Sequence, residues 1–378
     1  MNRMVASTAS ERVDLELDTA FTISRGSTVE TTNHLVTVTD RAGRVGIGGA
    51  APAAYYGEDG DSVAAALPDL LAAVESVGDP GEWQTIERRL AEIAPDEAAA
   101  RAGVSVAVHD LVARQRDEPL YREWGLDPER APATSVTVGI DDPEEMAARA
   151  REWRTASDSG TASDSGTASD SGTASDSGTA SDSGAAGYPA LKIKLGTGDD
   201  RARLRAVREA APDASLRVDA NGDWSADEAL AALPWLDDLG VALLEQPVSG
   251  DDHAGLARVT EAAPMPVAAD ESCVTATDVP DIADAVDVVV VKLMKCGGLG
   301  PARRQIAAAH ASGLDVMLGC MVETGAAIAG AAHLAPLVTY ADLDGALLLA
   351  EDPCTGLSLP DGEIDLAAVE RGTGARRR

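Results

Sequence analysis

The sequence predicts an α/β protein: a modified (β/α)7–8 TIM-type barrel carrying an N-terminal α+β capping domain. Three observations point there. From about residue 133, short apolar segments alternate with Ala-rich helical segments, the pattern of a parallel sheet buried on both faces. Residues 1–128 instead mix strand-like and helix-like stretches without that alternation. Acids and lysines of the second half also fall at the ends of the apolar segments, where parallel barrels carry their working residues.

In the first domain, RVDLELDT (12–19) and HLVTVTD (34–40) read as strands, and GRVGIGGAAP (43–52) reads as a glycine-rich turn region. DSVAAALPDLLAAVESV (61–77) and DEAAARAGVSVAVHDLVARQR (96–116) are apolar at helical spacing. The barrel, 129–345, is expected to use SVTVGI, ALKIKL, SLRVDA, VALLEQ, MPVAAD, VDVVVVKL, DVMLGC and LVTYADLD as its strands. Asp142-Pro143-Glu144-Glu145 opens a helix with a cap, a first-turn proline and acids at the positive dipole end. Ser225 and Glu228 form a capping box after the third strand. The last segment, 346–378, is expected to return to the capping domain. Residues 155–184 spell TASDSG five times. The unit carries nothing apolar enough to bury, so it is expected to be a disordered insertion, on the barrel face away from the chemistry.

Composition removes several classes of function. A net charge of −32 and a pI near 4.3 leave no basic footprint for nucleic acid. There is no apolar run long enough for a membrane span, and the first residues lack the apolar core of a signal peptide. Cys273, Cys296, Cys320 and Cys354 are scattered without CxxC spacing. That suits a reducing cytoplasm better than a disulfide framework. So acidic a surface is expected of a protein kept soluble in high salt, a halophilic trait. A homo-oligomer taking a small-molecule substrate is the expected assembly.

Lysine usage is the sharpest compositional signal. Only four of the 31 basic residues are lysines: Lys192, Lys194, Lys292 and Lys295. Arginine serves elsewhere, yet lysine is kept in two tight clusters, and lysine is the cation whose pKa can be tuned into that of a base. Lys192 and Lys194 share one face of the second strand by period-2 alternation. Strands three, four and five end in Asp219, Glu245 and Asp270, and strand six ends in Lys292. One such acid alone would read as a solvated loop residue. Three in strand order make an oxygen-rich pocket suited to Mg²⁺ or Mn²⁺.

LKIKLG, RVDANGDW, LLEQP, VAADES and VVVKLMKCGG resemble the successive strand-end motifs of the muconate-lactonizing subgroup of the enolase superfamily, and the likeness covers nearly the whole chain outside the repeats. The resemblance implies that Asp219, Glu245 and Asp270 are metal ligands. It makes Lys194 and Lys292 bases on opposite faces of a substrate and gives Lys192 a supporting role, with Asn221, Glu271 and Glu323 as a polar surround. The implied chemistry is removal of a proton beside a carboxylate. A metal would act as Lewis acid toward the charge that develops, and a neighbouring ammonium and the metal would lower a lysine's pKa from its usual ~10.4 toward a working base.

The eighth strand selects within the subgroup. Asp342-Leu343-Asp344 resembles the Asp-x-Asp with which dipeptide epimerases hold a free α-ammonium; two carboxylates on one strand face suit a cation. The expectation is a dipeptide epimerase, with Ala-Glu as leading substrate. Cycloisomerase, succinylbenzoate synthase and acylamino-acid racemase are the alternatives within the subgroup, and a Schiff-base aldolase or a binding protein the alternatives outside it. Phe21-Thr22-Ile23-Ser24-Arg25-Gly26-Ser27 resembles the mobile capping loop of Ala-Glu epimerases, with Ala20 where a proline is more usual. By that resemblance Arg25 reaches the substrate's side-chain carboxylate. Tyr55, Tyr56 and Gly57 fit the same cap, and His333 reads as packing.

Overall fold

The computed structural model describes residues 2–155 and 187–378. The capping domain begins with an antiparallel sheet of β1 (Val5–Ile23), β2 (Gly26–Asp40) and β3 (Val45–Ala50). Helices α1 (Gly60–Val77), α2 (Trp83–Ile93), α3 (Ala98–Arg116) and the short α4 (Leu120–Glu123) follow. Two departures from the sequence reading stand out. The glycine-rich 43–52 region is a strand rather than a turn, because its glycines serve close packing: a Cβ on Gly48 would sit 2.1 Å from the Gly103 carbonyl oxygen of α3. Helix α2 was not read from the sequence at all; its apolar face reduces to Ile86 and Leu90, set among charged residues.

The barrel strands are β4 (Ser135–Val138), β5 (Ala190–Lys194), β6 (Ser215–Asp219), β7 (Val241–Glu245), β8 (Val267–Ala269), β9 (Val288–Val291), β10 (Asp315–Gly319) and β11 (Tyr340–Asp342). They pair in parallel and in sequence order. A Thr134–Ala341 bridge and the Leu343 N–H donating to Thr134 Oγ1 at 2.7 Å bring the two end strands together. The intervening helices are α5 (Pro143–Thr155), α6 (Asp200–Ala210), α7 (Ala226–Asp238), α8 (His253–Ala262), α9 (Val279–Ile282), α10 (Leu293–Cys296), α11 (Leu299–Ala311) and α12 (Gly325–Ala332). Pro143 opens α5, and Ser225 and Glu228 close a reciprocal capping box on α7, as their sequences require.

Strand parity then decides what the barrel encloses. Leu243, Ala268, Val288, Val290 and Met317 point inward as a small apolar plug. Two residues further along the same inward rows stand Glu245, Asp270 and Lys292, with Lys194, Asp219 and Asp342 at the matching ends of β5, β6 and β11. The eighth strand ends at Asp342; Asp344 precedes a 3-10 turn, Gly345–Leu348, rather than extending the strand.

Chain beyond β11 touches both domains. The Ala350 N–H donates to the Glu16 carbonyl, and the Thr373 N–H to Asp110, while the Thr134 N–H reaches the Gly362 carbonyl. The repeat, apart from Thr155 at the end of α5, lies outside the described residues. Its flanks are close together: the Tyr188 N–H donates to the Trp153 carbonyl at 3.0 Å, and the two rings meet at 5.4 Å.

Candidate active site

At the C-terminal ends of the strands, a cavity of about 520 Å³ opens between barrel and cap. Its wall includes Lys192, Lys194, Asn221, Asp270, Glu271, Lys292, Asp342 and Asp344. The long β1–β2 hairpin hangs over it, fixed where the Ile140 N–H donates to the Thr22 carbonyl at 2.7 Å.

The lysines lie between the carboxylates. Lys194 Nζ donates to Asp219 Oδ2 at 2.7 Å and Asn221 Oδ1 at 3.2 Å. Lys192, almost wholly buried, reaches Glu245 at 2.9 Å, Asp342 at 2.8 Å and Asp219 at 3.1 Å. Lys292 donates to Asp270 Oδ2 at 2.8 Å; a side chain on Gly319 would approach its Cε to 3.0 Å. Among the described residues no three His, Cys, Asp or Glu side chains form a ready-made cation site; ammonium groups supply the positive charge instead.

Charge and burial divide these groups. Burial would raise the carboxyls of Asp219 and Asp270, but the lysines beside them hold both well below the usual range. Burial and the nearby Asp219 push Glu245 up to about 8, and burial pushes Glu323 to about 8 despite Lys292. Glu271 is raised by burial and by Asp270. Burial acts to lower Lys292, yet Asp270 outweighs it and the net shift is upward. Lys192 acts downward on Lys292, as the sequence reading expects of a neighbouring ammonium, and the paired Asp270 outweighs it. Lys192 is raised well above its ordinary value for the same reason, chiefly by Asp342 once burial is overcome.

Arg25 lines the same cavity from the cap side. Its guanidinium donates to Glu271 at 2.7 Å and to the Asn221 carbonyl at 2.8 Å, and lies 4.5 Å from the Tyr55 ring centroid. Asp342 accepts from Ser135 at 2.6 Å as well as from Lys192, while Asp344 accepts from the Thr137 N–H at 2.6 Å. His333 is buried in packing, its Nδ1 accepting from the Tyr121 N–H at 3.0 Å.

Two residues at the site have no role in the sequence reading. Gln246, at φ 35, clamps the neighbouring strand end: its Oε1 accepts from the Asp270 and Ser272 N–H groups and its Nε2 donates to Ser272 Oγ. Asn221 is likewise at positive φ, 49; such strain, of order 1–3 kcal/mol each, gathers where surrounding bonds over-determine a site. Lys295 is the other: its rarity singles it out in the sequence, in the second lysine cluster, without giving it a role.

The strand order gives the site its plan. Lys194 on β5 and Lys292 after β9 are four strands apart in the eight-stranded barrel, hence across a diameter. Glu245 on β7 and Asp342 on β11 mark the crossing diameter. Asp219, Glu245 and Asp270 offer only oxygen donors, as a hard divalent cation prefers. Glu245 Oε2, 2.8 Å from Lys192, is buried without an aligned hydrogen bond. The donor set fits such a cation.

The Enolase C-terminal domain-like family matches residues 179–361, and the Mandelate racemase / muconate lactonizing enzyme N-terminal domain matches 7–125. The chain belongs to the mandelate racemase/muconate lactonizing enzyme family of the enolase superfamily. It is 33% identical over 355 residues to an L-Ala-D/L-Glu epimerase of Bacteroides thetaiotaomicron, covering 93% of this chain and 83% of that one. A hydrophobic dipeptide epimerase of Roseobacter litoralis is 36% identical over 362 residues, 93% of each chain. A solved dipeptide epimerase from Enterococcus faecalis, complexed with Mg and L-Leu-L-Tyr, superposes with a TM-score of 0.85 at 30% identity, covering 99% of this chain and 100% of that one.

Proposed function

We propose that this chain is a Mg²⁺-dependent dipeptide epimerase that inverts the α-carbon of the C-terminal residue by two-base proton transfer. The carrying observation is the crossing of two diameters: lysines on one, and on the other the Asp219–Glu245–Asp270 arc facing Asp342 and Asp344. A dipeptide has a carboxylate at one end and an ammonium at the other. Laid along the second diameter, it puts its C-terminal α-carbon between the lysines of the first. Lys194 removes the proton from one face and Lys292 delivers one to the other, each lysine first leaving its paired carboxylate. Lys192 stays protonated among its acids and steadies the charge beneath the substrate. Asp219, Glu245 and Asp270 would hold Mg²⁺, which supplies a Lewis acid for the substrate carboxylate.

L-Ala-L-Glu is the leading substrate, with Arg25 the residue placed toward the cap side of the cavity. A hydrophobic dipeptide is the second reading, favoured by the apolar wall of Phe21, Ile23, Met321, Val322 and Leu348 and by the engagement of Arg25 with Glu271. Screening L,L-dipeptide libraries in D₂O with Mg²⁺, with deuterium uptake read by mass spectrometry, tests both. Uptake confined to acylated amino acids would point to a racemase instead. A cytoplasmic setting at high salt belongs to the same proposal; the four free cysteines and the charge of −32 support it.

A further inference from the structure

Lys295, on α10 just past the Lys292 strand end, has a fully buried side chain. Lys192, Lys194 and Lys292 line the cavity; Lys295 lies behind its wall. Its Nζ has four oxygens within reach: Asp270 Oδ1 at 2.6 Å, the Asp270 carbonyl at 2.7 Å, the Val290 carbonyl at 2.9 Å and the Cys273 carbonyl at 3.1 Å. An ammonium has three N–H donors, so this one is saturated and has no proton to exchange with a substrate. Asp270 is therefore gripped differently at its two oxygens. Oδ1 faces a lysine sealed in the protein, and Oδ2 faces Lys292, which borders the cavity.

We propose that Lys295 is a positioning residue for the divalent cation. It pins Asp270 through Oδ1, leaves Oδ2 as the oxygen offered to the metal, and keeps its own partners when the metal binds. This rests on the metal reading above. Three observations carry it. The carboxylate is oriented from behind by a charge rather than by a neutral donor. The same ammonium ties down the backbone on both sides of Asp270, through Val290 on β9 and Cys273 in the following turn. Gln246 fixes the Asp270 N–H independently, so the side-chain rotation that remains is the one Lys295 removes. Without Lys295, Asp270 could turn toward either neighbour and three carbonyls would lose a charged donor.

The lysine content makes a direct test practical. With four lysines in the chain, protein labelled with ¹⁵N at the lysine Nζ gives a spectrum of four ammonium signals; Lys192→Met, Lys194→Met and Lys292→Met assign three of them and leave Lys295 by difference. On titration with Mg²⁺, the signals of Lys192, Lys194 and Lys292 should move as their carboxylates change partner. That of Lys295 should move least and keep its slow exchange with solvent. If it moves or exchanges as Lys292 does, the positioning role is overturned while the metal reading survives. If no lysine signal responds to Mg²⁺, both fall. A second measurement separates positioning from a purely structural brace. Folded Lys295→Met, checked by circular dichroism, should bind Mg²⁺ about 10–100-fold more weakly by calorimetry, and raised Mg²⁺ should restore much of its turnover. Unchanged Mg²⁺ affinity in the folded variant would overturn the proposal; should the variant not fold, the spectrum of the unaltered protein decides.

Discussion

Lys192 and Asp342, 150 residues apart in the chain, are joined by a 2.8 Å hydrogen-bonded ion pair in the middle of the barrel. The same ammonium holds Glu245 from the opposite strand. One buried charge thus ties the proposed metal arc to the proposed ammonium site, and the two aspartates of the Asp-x-Asp segment are unequal. Asp342 is held below the usual range by Lys192, which outweighs its burial, whereas burial and Asp342 push Asp344 up to about 6.

That inequality predicts divergent effects of two similar substitutions. Near pH 8 Asp344 is held ionised at a cost in the folded state, so Asp344→Asn should raise Tm there; Asp342→Asn should lower it by weakening the Lys192 pair. Both should reduce kcat/KM for a free dipeptide. A hydrogen bond to a charged group contributes roughly 1.5–3 kcal/mol against about 1 for a neutral one, so the loss is about an order of magnitude. The N-acetylated dipeptide should already be poor with the unaltered enzyme, and the gap between the two substrates should narrow in Asp344→Asn. A preference of the unaltered enzyme for the acetylated compound would remove the ammonium role.

Lys194→Ala and Lys292→Ala should each abolish epimerisation, because inversion uses both faces. Each variant should still exchange the α-proton of one enantiomer with solvent, and of different enantiomers. Chiral chromatography and deuterium uptake on the same samples check this. Near-normal epimerisation by either variant would dismiss the two-base assignment.

Much of this plan is legible in the sequence because a parallel barrel converts chain order into angular position. Once Lys194, Asp219, Glu245, Asp270, Lys292 and Asp342 were placed at successive strand ends, neighbours and opposites followed from counting strands. Contacts that depend on side-chain reach were not legible. Nothing in the spacing says that Arg25 turns to Glu271, or that Lys192 reaches past β4 to Asp342. Gln246 was hidden for a different reason: its role depends on a positive φ and on a neighbouring strand. The glycines at 46 and 48 misled, since a turn and a tight strand–helix contact ask for the same residue.

Deleting residues 156–184 should leave fold and turnover nearly unchanged. The flanks already meet, with Tyr188 bonded to the Trp153 carbonyl and the Arg154 guanidinium to the Tyr188 carbonyl at 2.7 Å. They join the end of α5 to the start of β5, on the face opposite the cavity. Closure cost changes by only ~0.6 kcal/mol for each doubling of loop length. Thermal unfolding and steady-state rates on the shortened protein test this; a large fall in turnover with Tm unchanged would show that the segment takes part in function.

Glu58 gives a pH dependence separate from the catalytic groups. It is buried beside the start of α3, where Oε1 accepts from the Ala99 N–H at 2.8 Å and Oε2 has no hydrogen-bond partner. Burial, reinforced by Glu97, pushes its carboxyl up to about 7 against the partial relief from that N–H and from Arg101. The folded pKa lies above the unfolded value of ~4.3, so between the two the folded chain binds the extra proton. Its contribution is therefore fully present below the unfolded pKa and is lost as pH rises to about 7 and beyond. Glu58→Gln keeps the acceptor for Ala99 and cannot ionise. Relative to the unaltered protein it should gain stability at about pH 8 and little at about pH 4, so that the difference between their urea midpoints grows across this range. Other acids of the chain titrate in both proteins and cancel in the difference. Midpoints that stay a constant distance apart from acid to alkaline pH would show that Glu58 ionises in the folded state as easily as it does in the unfolded chain.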